Sequence, residues 1–280
     1  MLKNEEIQHL KKVANQIRID LIDMISYAQS GHPGGALSAV EIVTSLYFRV
    51  MNIKPSDPKW EDRDRFILSK GHACAVLYAS LAEKGYFPKE TLKTFRKFQS
   101  ILQGHPDMRK TPGVEMNSGT LGNGISAGVG MSLGAKLSNK NLRVYVLLGC
   151  GELNEGVVWE SAMAASHFKL DNMTAIVDFN KLQSDGEMEK IMNMNPLSAK
   201  WQAFGWHTIE VNGHNFEELI LAFEEAKKIK GKPTAIIAHT IKGKGVSYME
   251  NKPQYHGTYK MSSEETRIAL EDLTKERTVI

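Results

Sequence analysis

Three stretches of the chain carry residue types at spacings suited to anion and metal chemistry. The apolar run Val144 to Leu148 ends in Gly149-Cys150-Gly151-Glu152, and a helical pattern follows from about Gly156. Glycines between a strand and a helix let backbone N–H groups close on a diphosphate, which the positive end of the helix also attracts. Such a turn occurs equally well without a ligand. The next β-type run, Ala175 to Phe179, ends at Asn180 and leads into Lys181-Leu182-Gln183-Ser184-Asp185-Gly186. If the two runs are neighbours in a sheet, Asn180 lies beside position 150. An amide oxygen and a backbone carbonyl are hard ligands that suit Mg²⁺ or Ca²⁺, which fill their shells with phosphate oxygens or water. By itself an Asn after a strand is a turn former.

Of nine histidines, His32, His72, His105 and His256 sit in loops flanked by Gly or Pro, where a rigid sheet presents functional side chains. A structural hydrogen bond explains any one of them. Together they can surround a polar sugar, exchange hydrogen bonds with it and move protons near neutral pH. His9, His167, His207, His214 and His239 read as structural. Lys242 lies in the loop Thr240-Ile241-Lys242-Gly243-Lys244-Gly245, where a solvated lysine is as reasonable as a ligand-binding one. Glu155 stands in a first helical turn, where the dipole favours a carboxylate. The stretch from Gly122 to Ala127 mimics a dinucleotide fingerprint, but no β-run leads into it and no acidic residue stands at the required distance. A nicotinamide cofactor is excluded there.

These loops need a scaffold, and the periodicities predict one. Ile7, Leu10, Val13, Ile17, Leu21 and Met24 recur at helical spacing within 5–30, and a second helix is expected over 37–50. β-type runs are expected at 66–68, 144–148, 174–179, 208–211 and 234–239. Helices are expected at 119–134, 156–168, 195–204 and 216–229, and a charged surface helix or arm over 260–280. The alternation argues α/β architecture, a parallel sheet with helices on both faces. Ligands of such sheets bind at the carboxyl ends of the strands. The expectation is a single domain over 1–280, with amino-terminal helices at 5–50.

Composition narrows the class. With 280 residues, 42% hydrophobic and 24% charged, the chain can bury a large core, and a formal charge of +3 gives no field for nucleic acid. The two cysteines, Cys74 and Cys150, offer no disulfide framework. No apolar stretch is long enough to span a bilayer, and the amino terminus lacks an apolar signal core. A cytoplasmic location is the expectation.

In order along the chain stand Ser30-Gly31-His32-Pro33, Arg63-Asp64-Arg65-Phe66 with Ser69-Lys70-Gly71-His72, Gly104-His105-Pro106, and Gly119-Thr120-Leu121-Gly122-Asn123-Gly124. Gly149-x-Gly151-Glu152, Glu155-Gly156, Trp159-Glu160 and Asn180 follow. This ordered set resembles the motifs of the transketolase family, through most of the chain. The resemblance implies the thiamine diphosphate-binding fold and transfer of a two-carbon ketol unit from a ketose (phosphate) to an aldose (phosphate), as in pentose phosphate metabolism. It implies thiamine diphosphate with Mg²⁺ (or Ca²⁺ or Mn²⁺) as cofactors. On it, His72, Gly119, Leu121, Gly151, Glu152, Asn180, Lys242 and His256 bind the cofactor, and Asn180, the Leu182 carbonyl and residue 150 hold the metal. His32 and His256 contact the donor sugar and its developing oxyanion, His105 the sugar hydroxyls, and Glu155 lies near the cofactor at a subunit interface.

Two departures matter. The family pattern has Asp where this chain has Cys150, a soft ligand with an unperturbed pKa of about 8.5. Weaker metal binding, a softer metal or loss of the cofactor can follow, and the first is expected because Gly149, Gly151, Glu155 and Asn180 keep the pattern. The family also needs a glutamate on a pyrimidine-binding domain for which no room follows Ile280, so a companion carboxyl-terminal subunit in an α2β2 assembly is expected. The alternatives are a 1-deoxyxylulose 5-phosphate synthase-like or modified-sugar enzyme subunit, and a non-catalytic subunit whose cofactor site has lapsed.

Overall fold

The computed structural model describes residues 3–279; the extreme ends of the expected 1–280 domain and 260–280 arm lie outside the described residues. Helix α1 (Asn4–Ala28) buries Leu10, Val13, Ile17, Leu21 and Met24 along one stripe and carries Glu5 and Glu6 in its first turn, where the dipole favours them. The helix expected at 37–50 is instead three pieces: α2 (Pro33–Leu37), α3 (Val40–Ser45) and a π-type turn over Leu46–Val50. Pro33 starts the first piece early because its fixed φ suits an opening turn. Ala39, at φ −93° and ψ 0°, breaks it from the second.

There follow β1 (Arg65–Leu68), α4 (Cys74–Lys84), α5 (Asn123–Leu137), β2 (Val144–Gly149), α6 (Gly156–His167) and β3 (Met173–Phe179). Then come α7 (Met188–Ile191), α8 (Leu197–Ala203), β4 (His207–Asn212), α9 (Phe216–Lys228), β5 (Thr234–His239) and α10 (Ser263–Val279). All five expected strands form one parallel sheet in the order β1-β2-β3-β5-β4. Helix α5 begins at Asn123 and not at Gly119, because Gly122 takes a left-handed φ of 82° that a helix cannot continue through.

Strand alternation splits the core between two faces. Tyr145, Leu147, Ile176 and Ile236 pack under α1, α3, α4 and α9, while Val144, Val146, Leu148, Val177 and Ile237 pack under α5, α6 and α8. The charged tail forms α10, which docks on α1 through the buried Leu273 and Ala269 and the bond from Asn15 Nδ2 to the Leu273 carbonyl at 2.9 Å. Among the described residues no helix is long and apolar enough to cross a membrane.

The register pairs Gly149 with Asp178 and Phe179 with His239, so the turns after β2, β3 and β5 emerge side by side. Helix α5 lies close enough over the body of the sheet to leave no room at Gly128, where a Cβ would stand 2.6 Å from Val146 Cγ2 and 3.2 Å from Met173 Cε. Overpacking of this kind costs about 1–3 kcal/mol. Gly128→Leu is therefore expected to lower stability by that amount in urea denaturation, despite the better helix propensity of Leu.

Candidate active site

Lys70, from the turn after β1, is 2% exposed, and its Nζ donates to Asp178 Oδ2 at 2.5 Å and to the Gly35 carbonyl at 2.6 Å. Asp178 also accepts from Ser38 Oγ at 2.5 Å, Asn180 Nδ2 at 3.2 Å and Thr240 Oγ1. Burial alone would raise the pKa of this carboxyl, but Lys70 and these donors hold it below the usual range. Glu152, equally buried, accepts from Ser69 Oγ, Gly122 N (2.7 Å) and Gly149 N (2.9 Å). Burial pushes its pKa up. Both its oxygens therefore tie loops together, although the residue also lines the cavity they enclose.

That cavity measures about 200 Å³ and is floored by Gly35, Lys70, Gly149 and Gly151, with Leu121 at one side. Ligand clefts usually span about 300–1,000 Å³, so this one takes part of a larger molecule. A Cβ on Gly35 would lie 3.7 Å from His72 Nε2 and 4.0 Å from Lys70 Nζ and would fill the space between them. Gln183 Nε2, buried at the wall, has no partner. Glycine backbone, an unsatisfied N–H donor and the Lys242 ammonium fit a diphosphate.

Lys242 is 1% exposed, and burial lowers its pKa to about 8. Its Nζ lies 3.4 Å from the carbonyls of Leu182 and Gln183 and 2.5 Å from His256 Nδ1. Because the ammonium donates to Nδ1, the His256 proton resides on Nε2. The rings of His32, His72 and His256 follow one another at centroid distances of 5.4 and 5.1 Å. Burial, reinforced by Arg96, lowers His32 to about 4; burial and Lys70 lower His72 to about 2; burial and Lys242 lower His256 to about 3. All three imidazoles are neutral near pH 7.

The metal position is less well furnished. Cys150 Sγ lies 3.6 Å from Asn180 Oδ1 and 3.9 Å from the Leu182 carbonyl, and burial followed by the nearby Asp178 charge raises the thiol pKa. A protonated thiol, an amide oxygen and a carbonyl carry no formal negative charge, whereas Mg²⁺ sites use one or two carboxylates beside phosphate oxygens. Asp185 stands on the exposed rim of the cavity. Among the described residues no group of three or more His, Cys, Asp or Glu is placed to hold a metal ion. The donor set fits a hard dication poorly.

Thus His72, Leu121, Cys150, Gly151, Glu152, Asn180, Leu182, Lys242 and His256 share one cavity wall, and His32 adjoins it through His72. His105 is exposed, with Gly119 against its ring, and Glu155 is exposed at the start of α6. These three stand outside the lining. Sequence reasoning passed over Arg96, whose guanidinium donates to Ser30 Oγ at 3.0 Å and the Gly104 carbonyl at 3.4 Å and so joins the loops of His32 and His105. Its only local signal is its place ahead of Gly104-His105-Pro106.

Comparison with known proteins gives the family and the fold. Residues 9–274 match the family model described as transketolase, thiamine diphosphate binding domain. The chain is 44% identical over 273 residues to the 6-deoxy-6-sulfo-D-fructose transketolase subunit of a Clostridium species, covering 98% of this chain and 99% of that one. It is 42% identical to an apulose-4-phosphate transketolase subunit from Actinobacillus succinogenes, again over 98% and 99%. The crystal structure of transketolase from Campylobacter jejuni superposes with a TM-score of 0.90 at 35% identity, over 96% of this chain and 43% of that one. The chain therefore spans less than half of that solved relative.

The neutral histidines carry a pH signature. Each binds a proton on unfolding below the ordinary value of 6.5 but stays neutral when folded down to about 4 for His32 and lower for the others. Their contribution to stability is thus fully present above pH 6.5 and declines as pH falls below it. Unfolding at pH 5 should take up ~3 protons from this cluster. Replacing each by Asn should flatten the fall in urea stability between pH 7 and 4.5, and an unchanged slope would contradict the neutral assignment.

Proposed function

Because the chain belongs to the transketolase family, we propose that it is the diphosphate-binding subunit of a split enzyme that moves a two-carbon ketol unit from a ketose to an aldose. The observation that carries this reading is the row of neutral imidazoles beside a glycine-floored, lysine-lined cavity large enough for only part of the cofactor. Relatives that match over nearly their whole length are named as subunits, which supports a companion chain. Their names, a sulfonated fructose and a phosphorylated apulose, support an anionic, modified ketose as donor here. A companion with pyrimidine-binding and carboxyl-terminal domains, in an α2β2 assembly, completes the site.

Thiamine diphosphate, when bound, supplies the electron sink that stabilises negative charge on the two-carbon fragment. This chain positions and polarises. Backbone N–H groups around Gly151 and the Lys242 ammonium take the diphosphate, since the charge of Lys70 is already matched by Asp178. His256, its Nδ1 occupied by Lys242, keeps Nε2–H as a donor for a carbonyl oxygen that gains negative charge. His32 adds a second such donor, and His105 with Glu155 serves from the exposed rim, towards the sugar and the partner. At pH 7 these imidazoles carry no second proton, and the negative charge of a bound diphosphate would raise their pKa values towards the working range.

The partner's place is the outer face of α5 and α6, where Leu137 is 77%, Met163 59% and Phe168 48% exposed. Leu121 and Glu155 stand at the cavity end of that face. Large apolar side chains exposed on one helix pair suit an interaction surface. Mg²⁺, when bound, would be held by Asn180 and the Leu182 carbonyl beside the diphosphate, and more weakly than in a site with a carboxylate at position 150.

Two measurements test this. In the enzyme assembled with its partner, His256→Ala should cut ketol transfer about 10²-fold or more while leaving the melting temperature of the chain nearly unchanged; equal loss of fold and turnover contradicts the assigned role. Cys150→Asp should tighten Mg²⁺ about tenfold or more in titrations with thiamine diphosphate present. Unchanged Mg²⁺ affinity would mean that position 150 does not face the ion.

A further inference from the structure

Lys242 sits in an irregular loop after β5, and its placement needs an explanation that the cavity itself does not give. The main chain supplies part of it: Gly243 N donates to the Gly34 carbonyl at 3.0 Å, and the Lys242 carbonyl accepts from Asn251 N at 2.9 Å. Gly243 adopts φ 78°, and a Cβ there would run into the Met249 backbone, a turn open to glycine. The rest comes from three side chains outside the cavity, Arg18 of α1, Glu41 of α3 and His214 of the turn between β4 and α9.

Arg18 Nη2 donates to Glu41 Oε1 at 2.5 Å, and Arg18 Nε donates to the Lys244 carbonyl at 3.2 Å. Glu41 Oε2 lies 2.9 Å from His214 Nδ1, and His214 Nε2 lies 2.8 Å from the Ile241 amide nitrogen. The Ile241 N–H can only donate, so Nε2 carries no hydrogen and Nδ1–H donates to Glu41. The tautomer of His214 is thereby set. Burial alone would raise the Glu41 pKa, but Arg18 and then His214 hold it down to about 2, so the carboxylate stays ionised between its two partners. The chain of bonds grips the loop at residue 241 and at residue 244, on either side of Lys242.

Stability alone does not account for such a group. A buried ion pair can often be replaced by apolar side chains of the same shape without loss, because desolvation offsets its Coulomb attraction. What apolar side chains cannot supply is a directed acceptor for Ile241 N–H and a directed donor for the Lys244 carbonyl. We propose that Arg18, Glu41 and His214 are positioning residues that fix the loop on both sides of Lys242 and so hold its ammonium at the diphosphate site. The inference deepens the cofactor reading of Lys242 and rests on it.

The test compares His214→Leu, which removes the acceptor, with His214→Gln, whose amide oxygen can accept from Ile241 N–H while its NH₂ donates to Glu41. Amide hydrogen exchange is followed on the full chain without cofactor, and the KM for thiamine diphosphate is followed in the enzyme assembled with its partner. One lost buried hydrogen bond corresponds to about a tenfold effect. His214→Leu is expected to speed exchange over 241–245 by about that factor and to raise the cofactor KM similarly, with kcat at saturating cofactor little changed; His214→Gln should restore both. Arg18→Lys, which keeps the charge but loses the fork that spans Glu41 and Lys244, should shift both readouts the same way and serves if His214→Leu does not fold.

Unchanged exchange over 241–245 in a folded variant overturns the proposal, as does faster exchange with an unaltered cofactor KM. A Lys242→Ala control separates the two readings. If that change leaves the cofactor KM as it was, the cofactor role of Lys242 fails, while the exchange data still decide whether the three side chains hold the loop.

Discussion

The buried pair of Lys70 and Asp178 is the constraint on which the site depends. It joins the turn after β1 to the end of β3, and through Gly35, Ser38 and Thr240 it adds the α2 turn and the end of β5. A pair this deep is costly to bury, and losing one partner would leave the other charge unmatched at a cost of about 3–5 kcal/mol. The arrangement is therefore close to all-or-none. With it in place, the glycine backbones of the α2 turn and of the turn after β2 line one cavity.

The same pair decides the electrostatics. Lys70 spends its charge on Asp178, and Glu152 spends its oxygens on loop donors, so the positive charge offered to a ligand comes from Lys242. Burial keeps the neighbouring imidazoles neutral, reinforced by the Lys242 ammonium at His256 and by Lys70 at His72. Neutral donors, one unneutralised cation and open glycine backbone make a site suited to an anion. Cys150 continues this logic, because a carboxylate there would attract a dication and the thiol does not.

Much of this was legible in the sequence. The five strands and the helices at 156–168, 195–204 and 216–229 followed from periodicity, since a parallel sheet covered on both faces imposes apolar runs of about the right length. The departure at position 150 was visible only against the family resemblance, whose pattern has Asp where this chain has Cys150. The single helix expected over 37–50 failed because a turn at Ser38 and Ala39 interrupts it where Ser38 Oγ donates to Asp178, a tertiary contact that no local pattern records. Lys70 and Asp178 are separated by 108 positions, and Arg18 and His214 come from opposite halves of the chain. His214 read as structural for the same reason. Its chemistry lies in what the fold places against its two nitrogens.

The central claim is that this chain holds the diphosphate half of a shared cofactor. Native mass spectrometry of the chain, isolated gently with the proteins that accompany it, tests it most directly because chain masses and bound small molecules are read together. The account predicts complexes that pair this chain with a different, companion chain and carry thiamine diphosphate in proportion to the number of such pairs. A homo-oligomer or lone chain that carries no thiamine diphosphate, even with the cofactor in excess, would contradict it.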